Sequence, residues 1–170
     1  VLIHLWGSFT KEGKGLDLSS HSDLIKHGAI GLAEDNSTLP ISILKKGLLL
    51  GGMKNFPILL APRDQDIQGK GLVREGVETL RAGWPPDPLA SETLPLAQLL
   101  ELHRQHPEVS MRLMNISTAA GLSMINASQV KAIVSVNWWH LVADRTNLSP
   151  SDFGWRIEPS LGSQQDRKAL

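Results

Sequence analysis

The chain has 170 residues, 41% hydrophobic and 20% charged, an ordinary composition for a single soluble globular domain. Its 17 Lys and Arg balance its 17 Asp and Glu, so no net field gathers nucleic acid or coats an anionic membrane. With no cysteine, disulfides, thiolate catalysis and cysteine-ligated zinc or iron–sulfur centres are excluded, and a cytoplasmic location is the default.

Val1–Trp6 reads as a first strand, too short for a membrane span and without the basic region of a signal peptide. A chain that opens in a strand and without Met is expected to be a piece of something longer. A glycine-rich loop, Gly7–Gly15, follows, and Ser20 or Ser22 caps a short helix through Leu24 and Lys26 that stops at Gly28. Ala29–Ala33 is a second strand ending in Glu34 and Asp35, and Asn36–Thr38 is the turn into a helix begun by Pro40 and running to about Lys54, frayed by Gly51 and Gly52. Phe56–Ala61 is a continuous apolar third strand, followed by the charged loop Pro62–Asp66. Leu72, Val73, Val77 and Leu80 are spaced for one face of a helix over Leu72–Arg81, and Gly83–Pro88 breaks it.

Ala90–Arg104 reads as a longer helix. The run from Val109 to Ile116 is a strand that turns directly into a helix through Ala119–Ile125, with Ser117 and Thr118 as caps, and Val130–Val136 is a further strand ending in Asn137-Trp138-Trp139-His140. Ser149–Asp152 is a turn or helix start, Trp155–Ile157 one last short strand, and residues 162–170 an uncertain polar tail on an otherwise single domain, 1–170. Alternating strands and helices specify βαβ units and a parallel sheet. A doubly wound sheet closes within this length, whereas a complete (β/α)8 barrel needs roughly 250 residues. No Gly-x-Gly-x-x-Gly follows any strand and no Gly-Lys-Ser or Gly-Lys-Thr loop occurs, which removes the main support for a nucleotide site. About five to six strands of a barrel is the competing α/β architecture.

The strand ends carry Thr10 and Lys11, Glu34 and Asp35, Arg63 and Asp64, Asn115, and Asn137 with His140. In a barrel these converge on one face, where sites are built. Their order resembles the middle of a dihydroorotase, a metal-dependent amidohydrolase with a (β/α)8 barrel. Gly7–Gly15 resembles the family's Thr-Lys strand end and glycine loop, and Gly28–Asn36 its Gly-Ala-x-x-Phe-Thr-Asp-Asp-Gly. Phe56–Asp64 is similar to the strand ending in His-Cys-Glu-Asp, Glu75-Gly76 to Asn-Glu-Gly, and Pro88–Glu92 to a proline with paired glutamates. Asn115-Ile116-Ser117-Thr118 parallels His-x-Ser-Thr, Val136–Leu141 parallels Thr- or Asn-Pro-x-His-Leu, and Arg156–Leu161 resembles Arg-x-Asn-Pro-Pro-Leu, which sets Glu158 at its asparagine.

The resemblance implies a partial barrel. The family's cofactor is a pair of divalent ions, typically zinc, bridged by a carboxylated lysine and held by a His-x-His pair, an acidic residue, two later histidines and a final aspartate. In this sequence Ala61 and Asn115 stand at the two later histidines, the first-strand His-x-His and the last aspartate are absent, and only Glu34 or Asp35 remains as a vestigial ligand. The expectation is therefore no bound cofactor and no catalytic residue, with Asn115, His140 and Glu158 as vestigial ligand-binding positions. For most of these residues a plain reading competes: a solvated turn for Glu34 and Asp35, a helix C-terminus for His103 and His106, salt bridges for Arg63, Asp64, Asp66 and Arg74, a group closing the barrel mouth for His140, a rigid connector for Trp84–Pro88, and capping for Ser117 and Thr118.

Functionally, the resemblance implies an inactive, metal-free dihydroorotase-like chain with a structural or assembly role, its partner by analogy aspartate transcarbamoylase. Two alternatives are part of an active dihydroorotase or cyclic-amide hydrolase whose missing ligands lie outside the chain, and a ligand-binding module without chemistry. An open parallel sheet has two pairing edges, so a homo-oligomer or complex is expected.

Overall fold

A computed structural model describes residues 1–35, 39–50, 56–149, 151, 154 and 156–170. Its main sheet has five parallel strands: β1 (Gly7–Ser8), β2 (Leu32–Glu34), β3 (Ile58–Leu60), β6 (Met111–Leu113) and β7 (Ile133–Val134), paired in that order. The two strands between β3 and β6 in the chain, β4 (Val73–Arg74) and β5 (Pro86–Asp87), form a separate parallel pair. Each strand of the main sheet adds on the same side as the one before it. A doubly wound sheet reverses its strand order at a switch point; this one does not, and so has the progression of a barrel segment.

Helices α1 (His21–Lys26), α2 (Ile41–Leu49), α3 (Gln65–Gln68), α4 (Val77–Arg81), α5 (Ala90–Gln105) and α6 (Ala119–Ser128) lie between strands, and α7 (Trp139–Val142) and α8 (Gln164–Ala169) follow β7. Register explains the burial. Leu32, Ile58 and Met111 align across the sheet, as do Leu60 and Leu113 two rows further on, and all are buried. The intervening row, Ala33, Leu59 and Arg112, is only partly covered, as the two-residue period of a strand requires. The buried rows pack with Leu44 and Leu48 of α2, Leu96, Leu99 and Leu100 of α5 and Ile125 of α6. At about 25 cal/mol per Å2 of apolar surface, this burial is the main stabilising term.

Close approach fixes one glycine of this layer. A Cβ on Gly31 would lie 2.5 Å from the Pro57 carbonyl, so only glycine lets β2 draw up beside the strand that follows.

Several boundaries differ from the sequence expectation. The first strand begins at Gly7, not Val1: residues 1–5 lie exposed, and the chain joins the sheet only where Leu5 O accepts from Ile30 N and Gly7 N–H donates to Gly31 O. Leu72–Arg81 is not one helix: Val73 pairs with Pro86, and Gly71 sits so near Asp87 that a Cβ would come within 2.6 Å of its Cα, so the helix starts only at Val77. The tail is ordered by a reciprocal capping box between Ser163 and Asp166 that starts α8. Arg156 and Ile157 are in no strand; Trp155, the turn Asn36–Thr38 and the expected helix end at Gly51–Lys54 lie outside the described residues. Among the described residues no helix is long and apolar enough to cross a membrane.

Candidate functional site

Beyond the carboxyl ends of β3 and β6 opens a cleft of about 200 Å3, walled by Ala61, Arg63, Arg74, Met114, Asn115 and Glu158, with exposed Asp35 at its margin. A proline helps shape it. Pro95, inside α5, has no N–H to give to the Ser91 carbonyl one turn back, and that carbonyl instead accepts from Asp64 N at 2.8 Å. The loop carrying Arg63 is thereby tied to the start of α5, and the Asp64 carboxylate caps α3 through Asp66 N and Ile67 N, both at 3.0 Å.

Arg74 is the hub beneath the cleft, its side chain 4% exposed. Its Nη1 donates to Pro88 O and Ser91 Oγ, both at 2.9 Å, and its Nη2 to Ser117 Oγ at 3.0 Å. Asp87 Oδ1 lies 3.3 Å and Glu92 Oε2 3.9 Å from the guanidinium. Glu92 in turn accepts from Ser117 N at 2.9 Å, from the Ser117 hydroxyl, and from Thr118 Oγ1 at 2.6 Å. Thr118 caps α6 by accepting from Gly121 N, and Asp166 of α8 accepts from Ala119 N, each at 2.9 Å. Two carboxylates and a hydroxyl therefore meet the positive end of α6, and Ser117 and Thr118 are capping and network residues.

Arg63 is held differently. Its Nε donates to Gln68 Oε1 at 2.9 Å, while Asp87 Oδ2 and Glu158 Oε1 stand off at 3.8 and 3.9 Å. Burial lowers the pKa of its guanidinium, against the opposing pull of Asp87 and Glu158.

The residues singled out in the sequence divide. Asn115 and Glu158 both line the cleft, and Asn115 has φ 59°, a left-handed conformation that asparagine tolerates better than most residues. His140 is not a cleft residue: it is 3% exposed and its Nε2 meets Pro159 O at 3.0 Å. Desolvation keeps its pKa below the ordinary value in spite of that bond. Glu34 is also turned to structure, its Oε2 accepting from both the backbone N–H, at 3.1 Å, and the hydroxyl of Thr10, which hold the loop after β1; Asp35 is exposed at the cleft edge. His103 is buried and His106 faces Glu108 at 3.6 Å.

A pair of divalent ions does not fit this donor set. Ala61 offers a methyl group and Asn115 an amide at the strand ends, Glu34 is committed to Thr10, and among the described residues no group of three or more His, Cys, Asp or Glu is placed to hold a metal. Sequence reading missed the weight of Arg63 and Arg74. Their charges were visible, but only the pairing of β4 with β5 brings Arg74 under the cleft.

Fold and cleft together define a class: consecutive βα units of a (β/α)8-type barrel with a strand-end pocket. No family model matches the chain. A probable dihydroorotase-like protein of Synechocystis is 32% identical over 181 residues, covering all of this chain and 41% of that protein. The dihydroorotase of Carboxydothermus hydrogenoformans is 23% identical over 168 residues, covering 96% of this chain and 39% of its own. Among solved structures, an L-hydantoinase (dihydropyrimidinase) from Arthrobacter aurescens superposes on 98% of this chain and 39% of its own, with a TM-score of 0.70 at 13% identity. A dihydroorotase from Campylobacter jejuni gives 0.64 at 16% identity over 89% of this chain and 42% of its own. The chain is thus similar in sequence to a dihydroorotase-like protein and to dihydroorotases, and its fold matches part of the fold of those solved chains. It spans about 40% of the length of the curated relatives it matches.

Proposed function

We propose that this chain is a dihydroorotase-like component that hydrolyses no cyclic amide by itself and serves as a structural or assembly partner of another pyrimidine-pathway subunit, aspartate transcarbamoylase being the one that family resemblance points to. The observation that carries the reading is the cleft itself: Ala61, Arg63, Arg74 and Asn115 occupy the strand ends, and Glu34 is bound to Thr10. A guanidinium cannot ligate zinc, and neither the methyl group of Ala61 nor the amide of Asn115 replaces an imidazole ligand. The assembly half of the reading is supported by the sheet, which ends at β1 and at β7 without a further paired strand among the described residues.

A second reading is favoured by one fact, that the chain spans about 40% of relatives named dihydroorotase. On it, this is part of an active zinc enzyme whose remaining ligands come from residues outside the chain. Co-expression with aspartate transcarbamoylase followed by size-exclusion chromatography, with dihydroorotate hydrolysis assayed on each fraction, separates the two. Co-elution without hydrolysis is expected; hydrolysis by the chain alone would overturn the first reading.

A further inference from the structure

We propose that the strand-end cleft binds the carboxylate of a small ligand on Arg63, in exchange for the protein's own Glu158 carboxylate. The starting point is a set of donors without acceptors. Arg63 Nη1 and Nη2 and Arg74 Nε are enclosed and have no hydrogen-bond partner among the described residues. Both arginines line the cleft. Unmade hydrogen bonds from buried charged groups are costly, and here three orphan donors face a single orphan acceptor, Asp87 Oδ2. The missing partner is therefore rich in acceptor oxygens. A carboxylate matches the two parallel N–H bonds that Nη1 and Nη2 of one guanidinium present.

Charge decides which carboxylate of the protein gives way. Arg63 and Arg74 are opposed by Asp87, Glu92 and Glu158, with exposed Asp35 at the margin. Asp87 and Glu92 are buried and committed, Asp87 to Arg74 and the Ser91 hydroxyl at 2.6 Å, Glu92 to Ser117 and Thr118. Glu158 is not. Its side chain is 69% exposed, it stands 3.9 Å from Arg63, and its one hydrogen bond among the described residues, from Gln68 Nε2, is a long 3.5 Å. Rotation of Glu158 into water leaves two guanidinium groups against two carboxylates, and an incoming monoanion restores the sum that Glu158 now provides. A dianion would exceed it. The volume of about 200 Å3, with Ala61, Pro62 and Met114 among its walls, admits a ligand of few heavy atoms with a short apolar part.

The test is titration of the 170-residue chain with acetate, acetamide and inorganic phosphate, followed by ligand-observed NMR and calorimetry, on wild type, Arg63→Gln, Arg63→Lys and Glu158→Gln, each checked for folding by circular dichroism. Acetate is expected to bind in preference to acetamide and phosphate, to lose about tenfold or more in Arg63→Gln, where the charged fork is gone, and to recover part of that in Arg63→Lys. Glu158→Gln is expected to bind acetate several-fold more tightly, because the internal competitor is removed. Should Arg63→Gln fail to fold, Glu158→Gln decides alone. Acetate binding no better than acetamide, unchanged in Arg63→Gln, or weakened in Glu158→Gln would overturn the proposal, as would a preference for phosphate.

Discussion

Replacing Arg74 by methionine tests the hub that joins β4, β5, α5 and the start of α6. The substitution keeps most of the stem but removes three hydrogen bonds, to Pro88 O, Ser91 Oγ and Ser117 Oγ, and the counter-charge of two buried carboxylates, Asp87 at 3.3 Å and Glu92 at 3.9 Å. Breaking a buried ion pair from one side costs about 3–5 kcal/mol, because the partner charge is left uncompensated. For a chain of this size each kcal/mol moves the melting temperature by about 2–4 °C, so a drop of roughly 6–20 °C is expected in Arg74→Met. Urea unfolding followed by circular dichroism gives the free energy directly. Adding Glu92→Gln to Arg74→Met should return part of the loss, since one of the stranded charges disappears with it. A loss below about 1 kcal/mol, the range of exposed pairs, would show that the hub is solvated and refute the reasoning.

Gly121 lies in α6, where glycine to alanine ordinarily gains about 1 kcal/mol, but a Cβ there would sit 2.4 Å from Glu92 Oε1; Gly121→Ala should therefore lose about 1–3 kcal/mol in urea unfolding, and a gain would refute the contact. Asp166→Ala removes the acceptor for Ala119 N and half of the capping box with Ser163, so a loss of about 1–2 kcal/mol is expected, with faster amide hydrogen exchange at Ala119, and unchanged exchange would contradict the docking of α8. His140 gives a pH signature. Burial holds its folded pKa below the ordinary value of about 6.5, so its contribution to stability is fully present above that value and is lost as pH falls below it towards the folded pKa. Melting temperature should fall as pH drops below about 6.5 with a slope that flattens in His140→Gln, and an identical slope in the variant would refute the assignment. Asp144 acts in a lower window: burial works to raise its carboxyl, but hydrogen bonds from Thr146 and Arg167 outweigh it, so its share is lost only below about pH 4.

The alternation of strand and helix was legible because it rests on local signals. Proline at 40, the capping threonine at 118 and the apolar runs at 58–60 and 111–113 each state their element within a few residues. The illegible parts depend on partners distant in sequence. Leu72, Val73, Val77 and Leu80 carry a helical spacing, yet β pairing with Pro86 and Asp87 takes Val73 and Arg74. The polar tail is uncertain from sequence because its stability comes from Asp166 reaching Ala119 and Arg167 reaching Asp144. At the site, Asn115 and Glu158 were placed from the order of motifs and do line the cleft. The histidine at 140 was readable as a residue but not as a direction, since only the fold shows that Pro159, and not the cleft, receives it. Arg63 read as a surface charge because nothing in its neighbours along the chain encloses it.

Zinc titration of the metal-free chain, with a chromophoric chelator as competitor and inductively coupled plasma mass spectrometry of the dialysed protein, bears most directly on the claim that these strand ends do not form a dinuclear centre. Wild type is expected to retain well under one equivalent of zinc and to compete only weakly, because Ala61 and Asn115 supply no imidazole and Glu34 is held by Thr10. Two tightly held equivalents per chain, with hydrolysis of dihydroorotate appearing alongside them, would contradict it.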